Sequence, residues 1–328
     1  MRTLTTRELN RALLARQLVL ERKPISPTRA IEQVAGIQAQ WEPAAVMGLA
    51  ARIEGFRPEQ LARARLVRAT LMRATIHLVS ERDYLLFLPA LLPSLQRKWR
   101  QYRAGRPDVE GLDQLAQPVL AAAAQPRPAT ELRTLIEDDE EGSLWSRIRH
   151  HYPFIRVNGH YVAASAWLDR PFAAADKGLD HLVRRYLRAF GPATLADIAL
   201  WSGIQVAEIA PAVERLRLRR FLDESGRTLL DVRGAPLPPA DTPAPPRVLP
   251  RFDNLILSHA DRTRIVAEEH RPRIVRAAEV DAIFLIDGFV AGRWKHVRRK
   301  LELDPFVKLS RKDVAALEKE ARRLVESA

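Results

Sequence analysis

Two glutamines, Gln38 and Gln40, stand either side of Ala39 in the stretch Gly36-Ile37-Gln38-Ala39-Gln40-Trp41. A glutamine amide offers one carbonyl acceptor and two N–H donors. Residues two apart point about 200° from each other on a helix, whereas in an extended segment they share a face. Gly36 suits the end of a preceding helix, so an extended run after it lets both side-chain carbonyls converge on one small polar object, with a water molecule the simplest choice. The competing reading is a pair of amides that cap or close a turn. Further along, Thr75-Ile76-His77-Leu78-Val79-Ser80 alternates as a strand does, with Thr75, His77 and Val79 on one face. His77 reads either as a structural histidine fixing that strand or as a phosphate or sugar contact beside the glutamines, with Arg73 one alternation away. Arg73, Thr75, His77 and Ser80 are the candidate DNA contacts of this segment.

A second set lies in the last third of the chain. Arg251, His259, Asp261, Arg262 and Arg264 crowd a short segment, where Asp261 can buttress an arginine through a bidentate pair or the bases can face DNA. A hairpin around Asp287-Gly288 is apolar on both faces and ends in the basic run Arg293-Trp294-Lys295. Arg251, His259, Arg262, Arg293 and Lys295 are the candidate DNA contacts here. The histidines show no metal-ligand spacing, and with no cysteine in the chain disulfides, thiolate zinc sites, Fe–S clusters and a cysteine nucleophile are excluded. No metal or cofactor is expected.

The 328 residues carry 53 Lys and Arg against 40 Asp and Glu, a formal net charge of +13. Forty-five of the 53 bases are arginine, the other 8 lysine. A GC-rich genome explains that ratio but not the excess of base over acid, which favours a polyanionic partner, nucleic acid before a membrane surface. The first residues form no apolar signal region and no apolar run approaches the roughly 18 residues a span requires. The expectation is a bacterial-type cytoplasmic, nucleoid-associated protein without membrane contact.

The elements that must position these residues repeat one order three times: short helices, then a β-hairpin. The third copy is the clearest. An amphipathic helix over 179–190 stops at Gly191-Pro192, Thr194 caps a helix over 195–201, Gly203 turns, and a helix over 206–219 leads to a hairpin about Ser225-Gly226. Helix, helix, turn, helix, hairpin is the winged-helix order. The first copy predicts helices over 6–21, 26–35 and 58–66 and strands over 67–70 and 72–79. The second, over 111–165, ends in a hairpin at Asn158-Gly159. Seven prolines within 236–250 read as a linker to a β-rich part, closed by a helix over 310–326. The expected divisions are 1–100, 101–177, 178–235, the linker 236–250, and 251–328. The acidic run over 137–141 reads as a solvated loop.

Taken in order, these motifs resemble the AlkZ-type bacterial DNA glycosylases, a winged-helix family. The signatures are Gln38-Ala39-Gln40, Thr75 to Ser80, Ala189-Phe190-Gly191-Pro192-Ala193-Thr194, Trp201-Ser202-Gly203, Phe252-Asp253-Asn254, Leu257-Ser258-His259 and Asp261-Arg262-Thr263-Arg264. Gln at position 40 places the resemblance in the Gln-x-Gln branch rather than its Gln-x-Asp sister; Ala39 is smaller than the family's usual aliphatic residue. The resemblance implies an α+β, mainly helical fold of three tandem winged-helix units in a C-shape around duplex DNA, with a β-rich C-terminal part. It implies hydrolysis of the N-glycosidic bond of bulky N-alkylpurines, and a C-terminal hairpin that engages DNA near the lesion.

The chemistry is consistent with that implication. N7-alkylguanine and N3-alkyladenine are cationic and leave without strong general-acid help, so the remaining tasks are to stabilise an oxocarbenium-like sugar and to place a water at C1′. A glutamine carbonyl orients water in phosphoryl-transfer enzymes. The resulting expectation is a monofunctional glycosylase, a monomer on double-stranded DNA, with a rate flat between about pH 5.5 and 8.5 and at most a His77 inflection near ~6.5. The alternatives are a non-catalytic winged-helix regulator and a protein that sequesters adducts.

Overall fold

Local rules set most element ends. In the computed structural model, which describes residues 1–102, 111–136, 143–276, 279–297 and 300–327, the chain opens with β1 (Thr3–Leu4) and α1 (Thr6–Arg16), whose N-cap Thr5 forms a reciprocal capping box with Glu8. There follow α2 (Pro27–Gln33), β2 (Ile37–Gln38), α3 (Glu42–Ala50), β3 (Leu66–Thr70), β4 (Ile76–Ser80) and α4 (Glu81–Tyr102). Residues 58–63 form a 3₁₀ turn rather than a full helix. The second copy is α5 (Leu112–Ala122), α6 (Ala129–Thr134), α7 (Ser143–His151), the hairpin β5 (Phe154–Val157) and β6 (His160–Ala163), and the short α8 (Ala164–Trp167). The third is α9 (Ala175–Phe190), α10 (Leu195–Ser202), α11 (Val206–Arg215) and the hairpin β7 (Arg219–Asp223) and β8 (Thr228–Asp231). The acidic run over 137–141 lies outside the described residues.

The C-terminal part contributes β9 (Arg247–Leu249), α12 (Asn254–Leu257), α13 (Arg271–Ile274), β10 (Val275–Arg276), β11 (Glu279–Val280), β12 (Ile283–Ile286), β13 (Phe289–Val297), β14 (Lys300–Pro305) and α14 (Arg311–Glu326), the last capped by a Ser310–Asp313 box. The fold is mainly helical α+β, as the sequence predicts.

Long-range pairing joins what the sequence presents as separate hairpins. The first two hairpins merge into one five-stranded sheet in the order β2-β4-β3-β5-β6, bridged by Arg68 opposite Arg156. In the third, β1 adds in parallel beside β7. β9, cut from the proline-rich segment itself, pairs with β12 in the sheet β14-β13-β12-β9. That segment is also tied to α1: Arg16, Arg7 and Arg11 donate to the carbonyls of Pro236, Ala240 and Thr242. One core cluster runs through the first and third copies and the C-terminal part, while the second copy keeps its own around Val119, Leu132, Trp145, Ile148 and Phe154.

Two helices emerge that local pattern did not suggest. α3 follows directly after Trp41 and has Pro near its start. α4 runs 22 residues although Pro89 and Pro93 lie inside it. Its start carries a legible signal: Ser80 Oγ accepts from the Asp83 backbone N–H at 3.1 Å, the N-cap arrangement.

Candidate active site

Gly36 lets the chain turn from α2 into β2. Its φ is +85°, and a Cβ there would meet Val79 Cγ1 at 2.8 Å and the Leu78 carbonyl at 3.2 Å, so glycine is required on both conformational and steric grounds. The turn is fixed from the far end of the chain. Asn254 donates to the Gly36 carbonyl at 2.6 Å, and its neighbour Asp253 holds buried Arg52 through two bonds of 2.8 and 2.9 Å.

After that turn the segment is extended, as the spacing of the glutamines requires. β2 pairs antiparallel with β4, setting Gln38 opposite His77, and Ala39 N–H donates to the Ile76 carbonyl at 2.7 Å. Gln38 is buried and Gln40 exposed. Gln38 Oε1 accepts from Arg73 Nη2 at 2.9 Å, and Gln40 Oε1 accepts from the Ile76 backbone N–H at 3.2 Å.

The expected convergence of two free carbonyls on one water is therefore not what the structure displays. Each carbonyl already has a protein donor, for separate reasons. β2 ends at Gln38, so Ile76 N–H loses its ladder partner and Gln40 supplies the acceptor; Arg73 is half-buried, and its guanidinium needs acceptors on its inner side. Each amide oxygen keeps a second lone pair.

Arg73 organises the buried end. It sits at φ +57°, followed by Ala74 at +60°, a left-handed pair that costs energy in residues with a Cβ and persists where contacts over-determine it. Those contacts are Gln38 Oε1 and the Trp201 carbonyl at 2.9 Å each, and His77 Nε2 at 3.5 Å. A guanidinium only donates, so His77 Nε2 is the acceptor and Nδ1–H donates to the Thr75 carbonyl at 3.0 Å. Burial first, then the Arg73 charge, hold His77 down at about 3 against the pull of the Thr75 carbonyl. Burial, with nearby Arg262 adding repulsion, lowers Arg73 itself to about 10. His77 is thus held neutral across the physiological range, in keeping with a flat profile that lacks even the inflection near ~6.5 the sequence allowed.

The other sequence-derived candidates divide by environment. Thr75 Oγ1 donates to the Met72 carbonyl. Ser80 is buried, caps α4 and donates to Glu32. His259 is 1% exposed, with Ser258 on Nδ1 and the Phe190 carbonyl on Nε2 at 3.0 Å; it braces α9 from within the core and does not face a partner. Arg293 is gripped by Asp281 and Asp304, a structural ion pair in place of the expected DNA contact. Asp261 pairs with Arg227. Arg262 is half-buried, with Nε and Nη1 lacking partners among the described residues, and it lies close enough to Arg73 to depress it. Arg251 stacks on Phe252 and pairs with Glu279, and Lys295 is exposed.

Two cavities flank the glutamine segment. One, about 540 Å³, opens between the first two hairpins and is lined by Ala39, Arg63, Arg65, Arg68, Arg156 and Trp167 among others, with Glu81 its one acid. The other, about 480 Å³, lies between the segment and the C-terminal hairpin, where Trp41 and Met47 meet Arg251, Trp294, Lys295 and His296. Trp41 escaped sequence reading; an aromatic directly after the second glutamine was the available signal.

The arrangement has relatives. The family model of DNA glycosylase AlkZ-like proteins matches residues 31–326. This chain belongs to the AlkZ-like DNA glycosylase family. A curated relative, the interstrand DNA cross-link repair glycosylase of Streptomyces sahachiroi, is 30% identical over 160 residues, 44% of this chain and 42% of that protein, so the chain matches less than half the relative's length. The solved structure of Streptomyces sahachiroi DNA glycosylase AlkZ is similar across 99% of this chain and 97% of its own, with a TM-score of 0.83 at 20% identity, a likeness of fold. Within this AlkZ-like chain, several family signatures prove to be scaffolding: Asp253 and Asn254 anchor the Gly36 turn, Trp201 receives Arg73, and His259 ties down the end of α9. Among the described residues no group of acids and histidines could hold a metal, and no helix is long and apolar enough to cross a membrane.

Proposed function

We propose that this AlkZ-like chain is a monofunctional DNA glycosylase that hydrolyses the C1′–N bond of cationic N-alkylpurines in duplex DNA, acting as a monomer. Gln40 carries the reading: it is exposed, its amide is oriented by the Ile76 N–H, and its second lone pair remains for a water proton. Gln38, immobilised through Arg73, fixes the segment from beneath. The water adds its oxygen to C1′ as the C1′–N bond breaks. The bonding pair neutralises the cationic purine, and the proton of the added water passes to bulk solvent, Gln40 serving only to orient the water through a hydrogen bond. Nothing in this constellation is a strong acid, which fits a leaving group that is already charged.

The name of the curated relative supports extending the substrate class to interstrand cross-links, and cavities on both sides of the segment leave room for bulky purine substituents. Arg262, Lys295 and the arginines of the first cavity are the proposed phosphate contacts. A non-catalytic winged-helix regulator remains the second reading, favoured only by the basic charge.

The test is single-turnover release of N7-methylguanine from a defined duplex. Gln38→Ala and Gln40→Ala should each slow release by at least ~10–100-fold, the contribution of one positioned polar group, with DNA affinity nearly unchanged because phosphate contacts dominate it. Uracil and 8-oxoguanine should stay in place. Full activity in both variants, or rapid uracil release, would remove the glutamines from the mechanism.

A further inference from the structure

The residue after Gln40 has no structural task that accounts for its exposure. Trp41 is 45% exposed, and its indole makes no hydrogen bond or ring contact among the described residues. The other large aromatic on that side, Trp294, is 4% exposed and donates Nε1–H to the Leu249 carbonyl at 2.9 Å. A buried indole N–H usually finds a polar partner, as that of Trp294 does, whereas Trp41 borders the roughly 480 Å³ cavity lined also by Met47 and the far end of β13. That volume lies within the range of small-molecule sites, about 300–1,000 Å³.

We propose that Trp41 is the recognition platform for the cationic purine, whose positively charged ring stacks on the indole while Gln40 addresses C1′. The inference rests on the glycosylase reading above and supplies what that reading lacks, a means of distinguishing damaged from normal bases. Trp41 directly follows Gln40, with Cα atoms about 3.8 Å apart. Side chains one apart alternate across an extended segment, but both of these are exposed, so a base on the indole brings its sugar to the edge of the segment that carries Gln40. Trp is the strongest cation–π acceptor among the side chains, and alkylation at N7 or N3 turns a neutral purine into a cation while leaving its shape otherwise intact. The same face binds neutral purines more weakly, so charge does the sorting. Arg251 and Lys295 stand on the cavity rim, where they suit the flanking phosphates, and Arg251 is itself partly neutralised by Glu279.

The experiment separates recognition from chemistry. Duplexes carrying 2′-fluoro-N7-methylguanosine, which resists glycosidic hydrolysis, and matched unmodified duplexes are titrated by fluorescence anisotropy with the full chain, Trp41→Phe, Trp41→Leu and Gln38→Ala. The wild-type chain should prefer the lesion. Trp41→Leu should reduce that preference roughly tenfold, the scale of one base–aromatic stack, while Trp41→Phe keeps most of it and affinity for unmodified DNA is unchanged in both. Gln38→Ala should keep the preference while losing excision. Thermal unfolding confirms that each variant is folded, as the exposure of Trp41 allows for its two variants and as must be checked for buried Gln38. The proposal is overturned if Trp41→Leu discriminates as well as wild type, if it loses affinity equally for both duplexes, or if the wild-type chain shows no preference. Failure of the glycosylase reading shows separately, as a wild-type chain that prefers the lesion but releases no base from the matching duplex carrying hydrolysable N7-methylguanine.

Discussion

The glutamine segment is held in two different ways at its two ends. At Gln38 the side chain is buried, its carbonyl is bound by Arg73, and Arg73 is bound in turn by Trp201 and His77. At Gln40 and Trp41, two and three residues on, the side chains face solvent and a single backbone N–H steadies the amide of Gln40. The buried end has the character of a mount. The exposed end has freedom to meet a substrate and only enough restraint to aim. Divided this way, the Gln-x-Gln pair is not two copies of one device.

The largest effect should come from the mount. Arg73→Met keeps the length but strands the Gln38 and Trp201 carbonyls, at about 1–3 kcal/mol for each buried acceptor left unsatisfied. We expect a lower urea midpoint together with a loss of excision of roughly 100-fold or more. Gln40→Ala, by contrast, should cut excision while changing stability by less than about 1 kcal/mol, as exposed substitutions do. Equal stability losses at the two ends would erase the distinction between them.

A pH series sharpens it next. His77 is held at about 3 in the folded chain, below its unfolded value of about 6.5. Between those values the unfolded chain takes up a proton that the folded chain declines, so this histidine makes stability fall as pH drops from ~6.5 toward ~3. His77→Gln should shallow that acid slope by up to about 1.4 kcal/mol per pH unit, measured by urea melts at pH 7 and 5. The wild-type excision rate should be flat across about pH 5.5–8.5. An inflection near ~6.5 that vanishes in His77→Gln would return His77 to the reacting end.

The smallest effect concerns salt. Lys295→Ala should lower the log–log salt slope of DNA binding by about one, as for one lost phosphate contact. Arg293→Ala, two residues away on β13, should leave the slope alone and lower stability, because its guanidinium is held by Asp281 and Asp304. A slope that responds to Arg293 and not to Lys295 would reverse the assignment of exposed and structural cations.

What could be read in the sequence was what is decided within a few residues. Thr194 capping α10 at Asp197, Ser310 capping α14, the hairpins at Asn158-Gly159 and Asp287-Gly288, and the alternation about His77 follow from local chemistry. Hidden were the arrangements set by distant partners. No local signal says that Arg293 meets Asp304, that His259 serves Phe190, or that the Gln40 carbonyl replaces a missing strand neighbour. α4 was obscured by its two internal prolines, which local rules treat as helix breakers. The predicted helix over 206–219 overran because Arg219 belongs to β7, and its pairing with Asp231 lies outside any short window. For the candidate site, the glutamines and Arg73 were legible as residue types, whereas the occupancy of their carbonyls was not.

The bonds made by α1 bear on how the molecule comes to exist in the cell. Asn10 reaches the carbonyls of Arg264 and Gly288, Arg16 grips Asp231 at a separation of 215 residues, and Arg7 meets Asp287 at a separation of 280. α1 therefore waits for partners made more than 200 residues later in the chain. The Gly36 turn that aims the glutamines waits likewise for Asn254, 218 residues later. Such distant closures fold slowly, since loop entropy must be overcome before the contacts form. A nascent or truncated chain consequently carries its basic residues without an assembled glutamine segment.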